Sequence, residues 1–166
     1  QMNLAVTKGI NFFDTAEMYP VPANPSTQGE TETYIGRWLK EYKKRSDLII
    51  ATKATGPGVH VAHISPHLGF SKQRLSEALH HSLSRLGTDY IDLYQLHWPE
   101  RKTNCFGKMG FTPENDGWED NIADVVDTLY SCKQQGKIRY WGLSNETPWG
   151  VMRFLQEAKR YPDFMP

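Results

Sequence analysis

Cysteine is nearly absent from the 166-residue chain: Cys105 and Cys132 are the only two, and no Cys-x-x-Cys pair occurs. A disulfide framework and a zinc site therefore both lack their pattern, and a reducing, cytoplasmic compartment fits best. Net charge is absent as well, with 19 Lys and Arg against 19 Asp and Glu. Neutralising phosphates takes a clustered surplus of cations, so neither nucleic acid nor an anionic membrane surface is expected as a partner. No run of about 18 apolar residues is present, which argues against a membrane-spanning helix. The beginning of the chain lacks the basic-then-apolar layout of a secretory signal. Gln1 in place of an initiating Met leaves room upstream for further residues, a targeting segment among them. No strand is followed by Gly-x-Gly-x-x-Gly, so the doubly wound dinucleotide fold lacks its phosphate-binding signature.

What the chain does have is a repeated alternation. Residues 10–16 are a short apolar run after Gly9, which stops a preceding helix containing Leu4, Ala5 and Val6. Residues 47–53, 90–97 and 137–145 repeat the strand pattern, the continuous apolar runs of a parallel sheet covered on both faces. Between them lie amphipathic segments. Residues 33–44 place Ile35, Trp38, Leu39 and Tyr42 on one helical face. Ser71 caps a helix carrying Leu75, Ala78, Leu79, Leu83 and Leu86 until Gly87 stops it. Ile122, Val125, Val126, Leu129 and Cys132 mark a third helix ending at Gly136, and Pro148 opens a fourth with Val151, Phe154, Leu155 and Ala158. Residues 19–29, with Pro20, Pro22 and Pro25, and residues 98–117 are long irregular connections.

Four consecutive βα units imply right-handed crossovers and a parallel sheet, either doubly wound or part of a (β/α)8 barrel. Asp14, Lys53, His97 and the Ser144-Asn145 pair all fall at C-terminal strand ends, where a barrel gathers its active-site side chains. The barrel is the better fit. A whole barrel typically takes about 250 residues, so four units make about half of one.

Several stretches resemble the aldo-keto reductase family: Gly9-Ile10-Asn11-Phe12-Phe13-Asp14-Thr15-Ala16-Glu17-Met18-Tyr19, Thr52-Lys53, Leu96-His97-Trp98-Pro99 and Gly142-Leu143-Ser144-Asn145. Residues 85–94 add a fifth, and the proline-bearing loop after Tyr19 is most similar to the Tas-like branch. The resemblance covers nearly the whole chain. It implies an α/β fold, a (β/α)8 TIM barrel of which residues 1–166 form a partial domain, and an NADP-dependent oxidoreductase acting on a small-molecule carbonyl substrate. It further implies a tetrad of Tyr19, Asp14, Lys53 and His97, with NADPH/NADP+ as cofactor, Ser144 and Asn145 on the nicotinamide carboxamide, and Trp98 lining the substrate pocket. No metal is implied.

Physical logic runs beside that resemblance. A carbonyl accepting hydride develops charge on oxygen and needs a proton donor, and a phenol of ordinary pKa about 10 is a weak acid near neutrality. Tyr19 is therefore expected to be acidified by the Lys53 ammonium, with Asp14 keeping that ammonium charged despite burial. His97 is expected to act as a neutral donor that orients the carbonyl.

Other signals carry less. His60, His63 and His67 lie in a Pro- and Gly-containing loop with no helix to align them, so a solvated loop is expected rather than a metal site. Asn145-Glu146-Thr147 matches a glycosylation sequon by chance, and Lys40, Lys43, Lys44 and Arg45 read as an exposed helix end. Glu146 stands where many aldo-keto reductases have an aromatic residue, and residues 101–117 show no decisive chemistry. Two competing readings remain: a noncatalytic family member binding a nucleotide or protein partner, and a Schiff-base enzyme using Lys53, against which Asp14 argues. A half-barrel is expected to be poorly stable or to self-associate when isolated.

Overall fold

In the computed structural model, the described residues are 1–104, 106, 107, 109, 110 and 117–166. Cys105 and most of the second half of the connection after His97 lie outside them. Helix α1 (Met2–Thr7) leads into strand β1 (Phe12–Asp14), followed by α2 (Glu30–Tyr42), β2 (Ile49–Ala54), α3 (Lys72–Leu86), β3 (Ile91–Leu96), α4 (Ile122–Gln134), β4 (Ile138–Leu143) and α5 (Pro148–Ala158). The four strands form one parallel sheet in the order β1-β2-β3-β4. Sequence neighbours are thus spatial neighbours, and each crossover is a helix laid against the sheet, as in a barrel wall.

The helices bury one face of the sheet. Leu48, Ile50, Leu75, Leu79, Leu86, Ile91, Tyr94, Ile122, Val126, Leu129, Trp141, Phe154 and Phe164 form the continuous core. Local chemistry sets the helix ends. Ser71 accepts from the Arg74 N–H at 3.2 Å and Thr147 from the Gly150 N–H at 3.2 Å, while Gly87 closes α3 at φ 61°. On the opposite face, strand periodicity aligns Phe12, Asp14, Ile49, Lys53, Leu93, Gln95 and Tyr140.

Several expected boundaries move. The first strand covers only Phe12–Asp14: before it the Ile10 N–H donates back to Ala5 O at 3.0 Å, and after it the Thr15 and Glu17 N–H groups still reach Ala51 O at 2.9 Å and Lys53 O at 3.1 Å before the chain turns at Tyr19. The second helix starts at Glu30 and ends at Tyr42, with Lys43 left-handed at φ 58°. The fourth strand stops at Leu143, and Asn145 adopts φ 56°. Arg45 is not an exposed helix end. Its guanidinium turns inward to Leu48 O, Tyr90 O and the buried carboxylate of Asp92, which also pairs with Arg139.

Candidate active site

The register of the sheet brings the polar strand ends together. Lys53 pairs with Gln95 and Asp14 with Ala51, so Asp14, Lys53 and Gln95 share one face in two adjacent layers. Lys53 Nζ donates to Asp14 Oδ2 at 2.5 Å and to Thr15 O at 2.7 Å. Gln95 Nε2 donates to the other carboxylate oxygen of Asp14 at 3.1 Å. The buried ammonium thus has a counter-charge and a carbonyl, and the half-exposed carboxylate is held at both oxygens.

His97 follows β3 directly and extends the ladder through its N–H to Ala54 O at 3.0 Å. Tyr19 returns from the loop: its ring meets the imidazole edge-on at 5.6 Å between centroids, and Lys53 Nζ lies 5.3 Å from the phenol ring centroid. All four expected tetrad residues occupy one cluster at the C-terminal rim. The imidazole is buried, and among the described residues its Nδ1 has no hydrogen-bond partner. Burial, with Lys53 nearby, lowers its pKa to about 4, so the ring is neutral near pH 7.

Trp98 lies beside His97, its ring centroid 4.7 Å away. Its indole N–H donates to Pro57 O at 2.9 Å, and His60 stacks on it at 5.7 Å. Trp98, Pro57 and His60, with Val59, Arg101 and Phe106, line an open hollow of about 580 Å³. Next along the rim, the Ser144 N–H donates to Leu96 O at 2.9 Å, and Asn145 Nδ2 donates to His97 O at 2.9 Å and to Ser144 Oγ at 3.0 Å.

The model of the aldo/keto reductase family matches residues 1–165. The chain belongs to that family. It is 49% identical to the protein Tas of Escherichia coli (strain K12) over 162 residues, 97% of this chain and 47% of that protein. An aldo-keto reductase of Babesia bovis is 43% identical over 123 residues, 69% of this chain and 43% of its own length. A probable aryl-alcohol dehydrogenase of Saccharomyces cerevisiae is 32% identical over 149 residues, 86% of this chain and 37% of its own length. The chain spans about half the length of the first two relatives. Four parallel βα units are half of the family's (β/α)8 barrel.

In this aldo/keto reductase one expectation is reversed. The Tyr19 phenol is not acidified: burial, and then the Asp14 carboxylate, raise its pKa above the ordinary value of 10. The physical reason is burial first, which disfavours the phenolate, and then the Asp14 carboxylate, whose negative charge disfavours a second one nearby. The Asp14–Lys53 contact, with Thr15 O, occupies the ammonium that a Schiff-base mechanism would need as a free amine.

Several contributors were silent in the sequence. Gln95 sits in an apolar strand, and its period-2 alignment with His97 was the available signal. Glu17, between Asp14 and Tyr19 in sequence, is buried, its Oε2 accepting from Arg74 Nη2 at 2.7 Å and from the Thr55 N–H at 3.0 Å. Its own N–H donates to Lys53 O at 3.1 Å, which fixes the start of the Tyr19 loop to β2. From the connection after His97, Arg101 also reaches the turn after Asn145.

Proposed function

We propose that this aldo/keto reductase catalyses NADPH-dependent reduction of aldehydes or ketones, with the proton delivered by Tyr19. The convergence of Tyr19, His97, Lys53 and Asp14 beside an aromatic hollow carries this reading. The phenol, held protonated near neutrality, has its proton in place when charge develops on a carbonyl oxygen. Once that proton leaves, the Lys53 ammonium stabilises the resulting phenolate, and Asp14 and Thr15 O hold the ammonium in position. The neutral His97 ring offers an N–H to the same carbonyl oxygen and orients it.

The residues present fit a nicotinamide. Asn145 commits its NH2 to His97 O and Ser144 Oγ, so its amide oxygen and the serine hydroxyl form an acceptor and donor set complementary to a carboxamide. When bound, the cofactor supplies the hydride. Ser144 and Asn145 then orient the nicotinamide face, and Trp98, His60 and Phe106 supply apolar surface for an aryl or alkyl substituent. The yeast relative named as a probable aryl-alcohol dehydrogenase supports an aromatic substrate class.

The test is Tyr19→Phe in the protein at its natural length. Carbonyl-dependent NADPH oxidation should fall by roughly 10²- to 10⁴-fold, the range of a lost general acid, while NADPH affinity by fluorescence titration stays within twofold of wild type. Undiminished turnover would refute Tyr19 as donor. Wild-type protein that binds NADPH yet turns over no member of a broad aldehyde panel would favour the noncatalytic reading.

A further inference from the structure

Besides the Ser144 N–H on Leu96 O, the turn that carries Ser144 and Asn145 is tied to the exit of β3 by side chains at two points. One is Asn145 Nδ2 on His97 O. The other is an ion pair between residues 45 positions apart: Arg101 Nη1 donates to Glu146 Oε2 at 3.2 Å, and Arg101 Nη2 contacts Glu146 Oε1 and donates to Thr147 Oγ1 at 2.9 Å. The contact is bidentate and the pair is largely buried, with side-chain exposures of 13% and 6%. Glu146 Oε1 also accepts from the Thr147 N–H at 2.6 Å, so the carboxylate fixes the backbone immediately after Asn145.

The same guanidinium shapes the substrate side. It lies 4.8 Å from the Trp149 ring centroid and 5.8 Å from that of Trp118, and it lines the hollow beside Trp98. Gly150 makes room for this arrangement: a Cβ there would come within 2.4 Å of both the Glu146 carboxylate and the Arg101 guanidinium. A buried ion pair is a weak source of net stability because desolvation offsets much of its attraction. What a bidentate pair in this position does supply is one fixed relation between two loops.

We propose that the Arg101–Glu146 pair is a positioning latch that couples the Ser144-Asn145 turn, where the nicotinamide carboxamide is placed, to the Trp98 wall that receives the carbonyl substrate. The inference rests on the carbonyl-reductase reading above. Asn145 sits at φ 56°, a conformation uncommon for a residue other than glycine, and the latch holds the backbone on its C-terminal side. Opening the latch frees the turn and the wall together, so both ligands lose affinity while Asp14, Lys53 and His97 on the strand ladder, and Tyr19 on its own loop, keep their geometry.

The experiment uses the protein at its natural length with Arg101→Lys, Glu146→Gln and the double variant. Arg101→Lys keeps the charge and loses the fork, and Glu146→Gln keeps the shape and loses the charge. Each single variant is expected to raise the NADPH Kd by about tenfold, equivalent to about 1.4 kcal/mol, and to raise KM for an aromatic aldehyde. The change in kcat should stay under about threefold, and the double variant should be no worse than either single one because both remove one interaction. Variants that unfold at the wild-type temperature but bind NADPH with wild-type affinity would overturn the latch, as would fully additive losses or loss of the fold in all three. Failure of wild-type protein to bind NADPH would instead remove the underlying reading and the latch with it.

Discussion

Lys53 Nζ and Asp14 Oδ2 lie 2.5 Å apart across 39 positions of sequence, and the contact is made by neighbouring parallel strands. It sets the charge that Tyr19 meets. Asp14→Asn leaves the buried ammonium with a carbonyl and a weak neutral acceptor. Because Asp14 is half-exposed, the expected loss is about 1.5–3 kcal/mol, that of a hydrogen bond to a charged group. Urea denaturation with an unchanged m-value would measure it; an unchanged midpoint would contradict the pairing.

His97 gives a stability signature at low pH. Its folded pKa of about 4 lies below the unfolded value near 6.5, so between those limits the unfolded chain takes up a proton that the folded chain refuses. Its contribution is fully present above about pH 6.5, declines as pH falls, and levels off below about 4. The gap corresponds to roughly 3 kcal/mol. His97→Gln should flatten the stability profile in that window, measured by denaturant midpoints at stepped pH.

Glu17 and Arg74 are both buried, and Arg74 stands in the first turn of α3, where the helix dipole disfavours a cation. Either Glu17→Gln or Arg74→Met alone leaves a buried charge uncompensated and should cost about 3–5 kcal/mol. The double variant should cost less than the sum of the two. A double-mutant cycle by chemical denaturation measures the coupling, and strict additivity would count against it.

Gly36 marks the contact of α2 with the end of α3. A Cβ at this position would fall 2.2 Å from Arg85 O. Gly36→Ala should therefore destabilise by about 1–3 kcal/mol, against the usual helix gain from alanine. A raised thermal midpoint would show that the helices can separate without loss.

The four βα units were legible because burying helices on a parallel sheet writes two periods into the chain, and the strand ends of Lys53 and His97 could be read within a residue or two. The first strand begins later than expected because Ile10 is apolar yet exposed, its N–H bonded back to Ala5 O rather than to a strand. Composition could not separate such a residue from core. Asp14, Lys53, His97 and Tyr19 were reached through strand-end placement together with family likeness. Glu17–Arg74 and Arg101–Glu146 were not, since partners 57 and 45 positions apart leave no local periodicity. The direction of the phenol's shift is likewise not legible in the sequence, which shows the cation and the carboxylate but not the burial of the ring.

Asp14, Lys53 and His97 are carried by or directly continue the strand ladder, whereas Tyr19 hangs on a loop secured by Glu17 and by the Gly29 N–H on Tyr19 O at 3.0 Å. The three ladder residues share one mechanical frame: none can shift along its strand without a slip of register that would turn its side chain to the other face. The phenol has no such restraint. Adjustment of distances within this rim, whether by natural variation or by engineering, is therefore concentrated in residues 18–29, which lie beyond the Glu17 N–H on Lys53 O and form the adjustable jaw of an otherwise rigid vice.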